Sequence, residues 1–136
     1  MESIVKKVQY YETDMMGITH HANYIRWMEE ARTHFLERIG FPYDALEKRG
    51  FLSPVCALSC KYRRPCTFGD EIRIAIAVAA INGVVLTFSY DMRNAATGEQ
   101  VCEAASEHVF VKKDGGIVRL KRDLPDFSAA LEALVE

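Results

Sequence analysis

No stretch of this 136-residue chain stays apolar for anything near the ~18 residues of a membrane-crossing helix, so no span is expected. Basic excess is missing too: 17 Lys and Arg stand against 19 Asp and Glu, a net charge of −2. A dedicated nucleic-acid binder would carry the opposite balance. The N-terminal MESIVKKVQYYETD lacks the apolar core and small-residue cleavage site of a secretory signal. Cys56, Cys60, Cys66 and Cys102 form no CxxC and no zinc-finger spacing. They are expected as free thiols acting as small buried hydrophobes, in a cytoplasmic protein. There is no GxSxG elbow, no phosphate-binding loop and no GxGxxG, so serine hydrolase, nucleotide hydrolase and dinucleotide-binding readings have no support. With no HExxH or comparable ligand set, no metal is expected. The length excludes a TIM barrel. Repeats, low-complexity tracts and Ser/Pro-rich linkers are missing as well, which leaves one domain over residues 1–136.

What is present is an ordinary globular composition, 49% hydrophobic and 26% charged, enough to bury a core without disulfides. Residues 4–11 are β-rich. Tyr24, Met28, Ala31, Phe35 and Ile39 then recur at helical spacing, with Trp27 and Leu36 widening the stripe, and Gly40 and Pro42 stop the helix. Thr19 is the expected N-cap. Residues 43–50 read as a short helix or turn. Four strand-like segments follow, at 55–64, 71–81, 84–94 and 100–113, separated by turn chemistry of which Asn82-Gly83 is the strongest hairpin signal. A short terminal helix is entered through Asp123 and Pro125. The expected class is α+β: a hot-dog fold, with a curved antiparallel five-stranded sheet wrapped around one long helix and a short C-terminal helix. The segment IRIAIAV is apolar on both faces, which suits a sheet covered partly by the helix and partly by a partner subunit.

The segment YYETDMMGITHHANYIRWMEEAR, residues 10–32, carries the chemistry. It sets a carboxylate, Asp14, in the loop leading to the main helix. The first amides of a helix lack intrahelical partners, and the helix dipole adds partial positive charge there. Backbone N–H groups around His20 to Ala22 could hold a carbonyl oxygen and stabilise an oxyanion. Gly17 lets the loop bend and keeps bulk away from a substrate. An acid beside oxyanion donors is the minimum apparatus for acyl transfer to water. Taken alone, a loop Asp before a helix is more often a cap or a solvated turn residue.

The string Y-x-E-T-D-x-x-G-x-x-H-H-A-N-Y-x-x-W-x-E-E-A-R resembles the acyl-CoA thioesterases of the 4-hydroxybenzoyl-CoA thioesterase family. It looks closest to the branch related to the bacterial Tol-Pal-associated thioesterase. The later YRRPCTFGDEIRI (62–74) is similar to that family's Y-x-x-P-x-x-x-G-D segment, and the resemblance covers about residues 5–113. It implies that Asp14 is the catalytic aspartate and Gly17 the loop glycine. It implies that His21 supplies the backbone N–H that polarises the thioester carbonyl, and that Tyr24 is the aromatic one turn on. It also implies a homo-oligomer, dimer or dimer of dimers, typically a homotetramer with sites at the dimer interface. Met15 and Met16 stand where many relatives have smaller residues, and their flexible thioethers could shape an apolar acyl pocket.

The implied reaction is hydrolysis of a small or medium acyl-CoA. Asp14 either attacks the carbonyl carbon or deprotonates a water. Coenzyme A belongs to the substrate, and no cofactor is expected. Its phosphates need cations, for which Lys61, Arg63 and Arg64 are one candidate cluster and the basic residues of 112–122 another, with a solvated surface as the alternative. His20 is a weaker candidate for a direct role. His34 and His108 read as structural, and Glu29, Glu30 and Arg32 as exposed helix charges. Two rivals stay open: a hot-dog hydratase or dehydratase using His21 with Asp14, and a non-catalytic acyl-CoA binding module.

Overall fold

A computed structural model describes residues 2–136. In chain order the elements are β1 (Glu2–Lys7), a 3-10 turn (Tyr10–Glu12), α1 (Ala22–Arg38), α2 (Tyr43–Lys48), β2 (Phe51–Leu52), β3 (Val55–Tyr62), β4 (Glu71–Ile81), β5 (Val85–Asn94), β6 (Gln100–Val109), β7 (Val111–Lys112), α3 (Leu120–Asp123) and α4 (Pro125–Glu132). Five strands form one antiparallel sheet in the order β1-β4-β5-β6-β3, and β2 pairs with β7 in a separate small ladder. This is the hot-dog arrangement expected from the sequence.

Side-chain alternation builds the core. Ile72, Ile74, Ile76 and Val78 of β4 and Leu86, Phe88, Tyr90 and Met92 of β5 point to the helix side and are buried. Tyr24, Trp27, Met28, Ala31, Phe35 and Leu36 of α1 meet them. Phe35 and Phe88 pack edge to face with ring centroids 5.4 Å apart. Register shifts between Val78 and Ala80 and between Val55 and Ala57 insert extra residues, which bend strands and help the sheet curl. Phe41, Phe110 and Phe127 close the far end of the core, where α4 folds back.

Several expectations need correction. The first strand ends at Lys7, and Tyr10–Glu12 are a 3-10 turn. The segment expected as one strand over 100–113 is broken at Phe110, which turns into the core. The C-terminal segment holds two short helices, because α3 precedes α4. Asn82 does make the β4–β5 turn, through its side chain: Oδ1 accepts the N–H groups of Val84 and Val85 at 2.8 and 2.7 Å. Cys66 and Cys102 are buried as expected, whereas Cys56 is exposed where β3 bulges.

Candidate active site

The loop between the 3-10 turn and α1 is a small closed structure. Thr13 and Thr19 form an antiparallel bridge across it. Asp14 donates its N–H to the Ile18 carbonyl at 3.0 Å and accepts the Gly17 N–H on its own carbonyl at 2.9 Å. Gly17 has φ of +79°, the left-handed conformation that closes this turn. The half-buried Asp14 carboxylate accepts the Met16 N–H on Oδ1 at 2.8 Å. Oδ2 takes no hydrogen bond among the described residues. The Thr67 hydroxyl donates to the Gly17 carbonyl at 2.7 Å, which pins the loop to the segment before β4.

Thr19 does not cap α1. Its N–H and hydroxyl both donate to the Cys66 carbonyl, at 2.8 and 3.1 Å, so it stitches the loop to the sheet. The N-cap is His21, itself in helical conformation. Nδ1 of His20 does the capping and accepts the Ala22 N–H at 3.1 Å. The Asn23 N–H goes to the His20 carbonyl at 3.0 Å, and the His20 N–H to the Glu12 carbonyl at 2.8 Å. Of the amides of residues 20 to 23, the His21 N–H alone has no partner among the described residues.

Beside His21 lies a pocket of about 270 Å³, lined by Ile18, His21, Tyr24, Tyr62, Arg63 and Arg64 among others. Tyr24 forms a wall: its buried hydroxyl meets Cys66 Sγ at 3.3 Å, and its ring meets Tyr62 edge-on at 5.1 Å. Burial pushes both the Tyr24 hydroxyl and the Cys66 thiol above their ordinary values. Cys66 therefore stays a thiol and offers no thiolate nucleophile. Tyr62 comes from β3 and donates its hydroxyl to the His21 carbonyl at 3.2 Å. Burial, then Cys60, push Tyr62 up to about 12, so it remains a donor at neutral pH.

The structure therefore places His21 and Tyr24 in the pocket wall, whereas Asp14 and Gly17 lie in the adjoining loop and do not line it. It does not gather all the expected binding residues. Met15 and Met16 are exposed at the loop tip and do not line the pocket. Arg63 and Arg64 reach the pocket rim but are already paired, with Glu103 at 3.0 Å and Glu99 at 2.6 Å. Lys61 lies instead in a depression on the outer face of the sheet, with Asp91 and Glu103. Neither His20 nor His21 lies within ion-pair reach of Asp14, and the two imidazoles stack on each other at 4.2 Å. The His21–Asp14 pair of the hydratase reading is not made among the described residues. No three His, Cys, Asp or Glu side chains among the described residues converge as metal ligands.

The model of the thioesterase-like superfamily matches residues 8–134. The chain belongs to that superfamily. It is 36% identical over 127 residues to the Bacillus subtilis protein named "Putative acyl-CoA thioesterase YneP", covering 93% of this chain and 91% of that one. To the Escherichia coli (strain CFT073) acyl-CoA thioester hydrolase YbgC it is 29% identical over 89 residues, 65% of this chain and 66% of YbgC. The crystal structure of a DHNA-CoA thioesterase from Staphylococcus aureus superposes with a TM-score of 0.91 at 29% identity, covering 96% of this chain and 88% of that one. The hot-dog architecture of this thioesterase is thus shared with solved relatives over nearly its whole length.

Two residues beside the start of α1 were not singled out from the sequence. Tyr62 stands inside the quoted YRRPCTFGD string, but its link to the helix start depends on β3 lying beside α1. Glu12 stands inside the quoted E-T-D string, yet its partner Trp27 is a helix turn beyond the loop. Arg32, expected as an exposed charge, is buried and donates to the Tyr90 hydroxyl at 3.2 Å.

Proposed function

We propose that this thioesterase hydrolyses the thioester of a small or medium acyl-CoA to free acid and coenzyme A, with Asp14 as nucleophile or general base and the His21 N–H as oxyanion donor. Thioester hydrolysis is the activity of the superfamily to which the chain belongs and of its named relatives. The observation that carries the residue assignment is the unpartnered His21 amide at the open end of α1, beside a pocket and one short loop from the Asp14 carboxylate. Such an amide costs nothing to reorganise when negative charge develops on the carbonyl oxygen.

As nucleophile, an Asp14 oxygen attacks the thioester carbon, the C–S bond breaks and the thiolate leaves, taking a proton from solvent. Water then opens the mixed anhydride and restores the carboxylate. As base, Asp14 takes the proton of a water that attacks the same carbon, and the tetrahedral intermediate expels the thiolate. Thiolate is a good leaving group, so neither route requires a strong general acid. Tyr24 and Tyr62 wall the acyl or pantetheine path. Lys61, Arg63 and Arg64 serve the phosphates only if Glu99 and Glu103 release the two arginines. Met15 and Met16 contribute apolar surface at the loop tip.

This reading needs no metal or cofactor and places the protein in the cytoplasm. It assigns the chain to the 4-hydroxybenzoyl-CoA thioesterase family, in the Tol-Pal-associated branch, on the motif at residues 10–32. It includes a homo-oligomer, with β3 supplying the contact: this edge strand exposes Val55, Leu58 and Tyr62. The test is Asp14→Asn assayed with a panel of acyl-CoA substrates and a thiol-reactive dye. Hydrolysis is expected to fall about 10²-fold or more while acyl-CoA binding persists. Near-normal thiol release by the variant would sink the assignment. Unsaturation changes without thiol release from the parent would support a hydratase instead.

A further inference from the structure

Glu12 is the one buried carboxylate that the mechanism leaves unused, and its surroundings are unusual for an acid. It is 4% exposed and has no cationic partner among the described residues. Each oxygen instead accepts one neutral N–H: Oε1 from the Gln9 backbone at 2.8 Å, and Oε2 from the Trp27 indole at 2.8 Å. A buried charge is tolerated only where such bonds are made and held, so the side chain fixes the 3-10 turn against the second turn of α1. The main chain of the same residue makes a second linkage. Its carbonyl accepts the His20 N–H at 2.8 Å and the buried Asn23 side-chain amide at 2.9 Å. One residue thus grips α1 through its side chain and the entry to α1 through its carbonyl. Asp14 follows it by two positions, and His21 follows the gripped His20 by one.

We infer that Glu12 is a positioning residue of the active site: it sets where Asp14 stands relative to the His21 N–H by clamping the 3-10 turn to Trp27, His20 and Asn23. The inference rests on the reading that Asp14 and the His21 amide act together on the thioester. Without the clamp, the turn can shift along α1 while the core beneath it stays packed. A displacement of about 1 Å between an attacking group and an oxyanion donor costs on the order of a hundredfold in rate.

The test is Glu12→Gln, which keeps the shape but replaces one accepting oxygen with an amide that cannot accept the indole or backbone N–H. The expected result is a kcat lower by about tenfold to a hundredfold, with KM within about threefold of the parent. In an Asp14→Asn background, Glu12→Gln is expected to add no further loss, because it acts through the group already removed. Asn23→Ala, which loosens the Glu12 carbonyl without touching the carboxylate, should give the same split between kcat and KM, and serves if Glu12→Gln does not fold. A Glu12→Gln protein with a lower melting temperature but unchanged kcat per folded molecule would overturn the inference, as would a further loss of equal size in the Asp14→Asn background. The two readings fail separately. Retained turnover in Asp14→Asn removes the functional reading, whereas a dead Asp14→Asn with an unimpaired Glu12→Gln removes only the clamp.

Discussion

His108 is a buried imidazole with no acid to pair with. Its Nε2 shares a hydrogen bond with the Ser106 hydroxyl at 2.7 Å, which meets the Tyr90 hydroxyl at 2.6 Å, and Arg32 donates to that phenol. Nδ1 of His108 and Nε of Arg32 have no partner among the described residues. Burial, then the charge of Arg32, hold His108 down to about 4. The folded protein therefore keeps this ring neutral where an unfolded chain, titrating at about 6.5, would take a proton. His108 contributes stability in full above about pH 6.5, loses it as pH falls from there to about 4, and changes little below; the whole step is about 3 kcal/mol. Chemical denaturation at pH 7 and pH 4.5 should show this loss. His108→Gln, which can still bond Ser106, should flatten that pH dependence, and an unchanged dependence would assign it to other groups.

At the scale of the element, the loop over residues 13–19 and the start of α1 behave as one unit. A Cβ at Gly17 would meet no atom within 4 Å, so the position has room, but its φ of +79° strains any β-branched residue. Gly17→Val is expected to cost about 1–2 kcal/mol of loop strain. Because the loop is short and tied at both ends, relief comes by moving Asp14. Activity should fall by more than the loss in melting temperature implies, as read by kcat on the folded fraction. Equal losses in both would mean that the loop conformation does not matter to the chemistry. The element itself was legible: the apolar stripe of α1 follows from the spacing of Tyr24, Met28, Ala31 and Phe35. Its start was not, because Thr19 has the right chemistry for a cap but spends both its donors on Cys66, a residue that only the folded sheet brings near.

Across the whole molecule, β3 is the longer of the sheet's two edge strands, and no strand among the described residues pairs with its outer side. β3 pairs with β6 on one side only, and Leu58 and Val55 are each 43% exposed. This eight-residue edge offers unpaired backbone groups to a second strand, with Val55 and Leu58 as its apolar side chains and Lys61 opposing. If the proposed homo-oligomer assembles through β3, Leu58→Lys is expected to give smaller species than the parent in analytical ultracentrifugation while leaving the monomer folded, since its side chain lies outside the core. If assembly were unaffected, contact through this edge would be excluded. The pocket beside His21 includes Tyr62 at the end of the same strand, so the variant also reports whether activity depends on assembly through this edge.

Periodicity and turn chemistry were enough to specify the hot-dog class, because alternation in strands and a helical apolar stripe are local properties of the chain. The spacing from Asp14 to His21 likewise fixed, without coordinates, that a carboxylate precedes the open end of the main helix. Tertiary structure decided that the His20 N–H is taken by the Glu12 carbonyl and that Thr19 turns to Cys66 instead of the helix start. It also decided that Arg32 is buried, that Met15 and Met16 face outward, and that Arg63 and Arg64 are already paired. The physical reason is the same in each case: burial and hydrogen-bond partnership depend on residues distant in sequence, and a local pattern shows what a side chain can do but not what it meets.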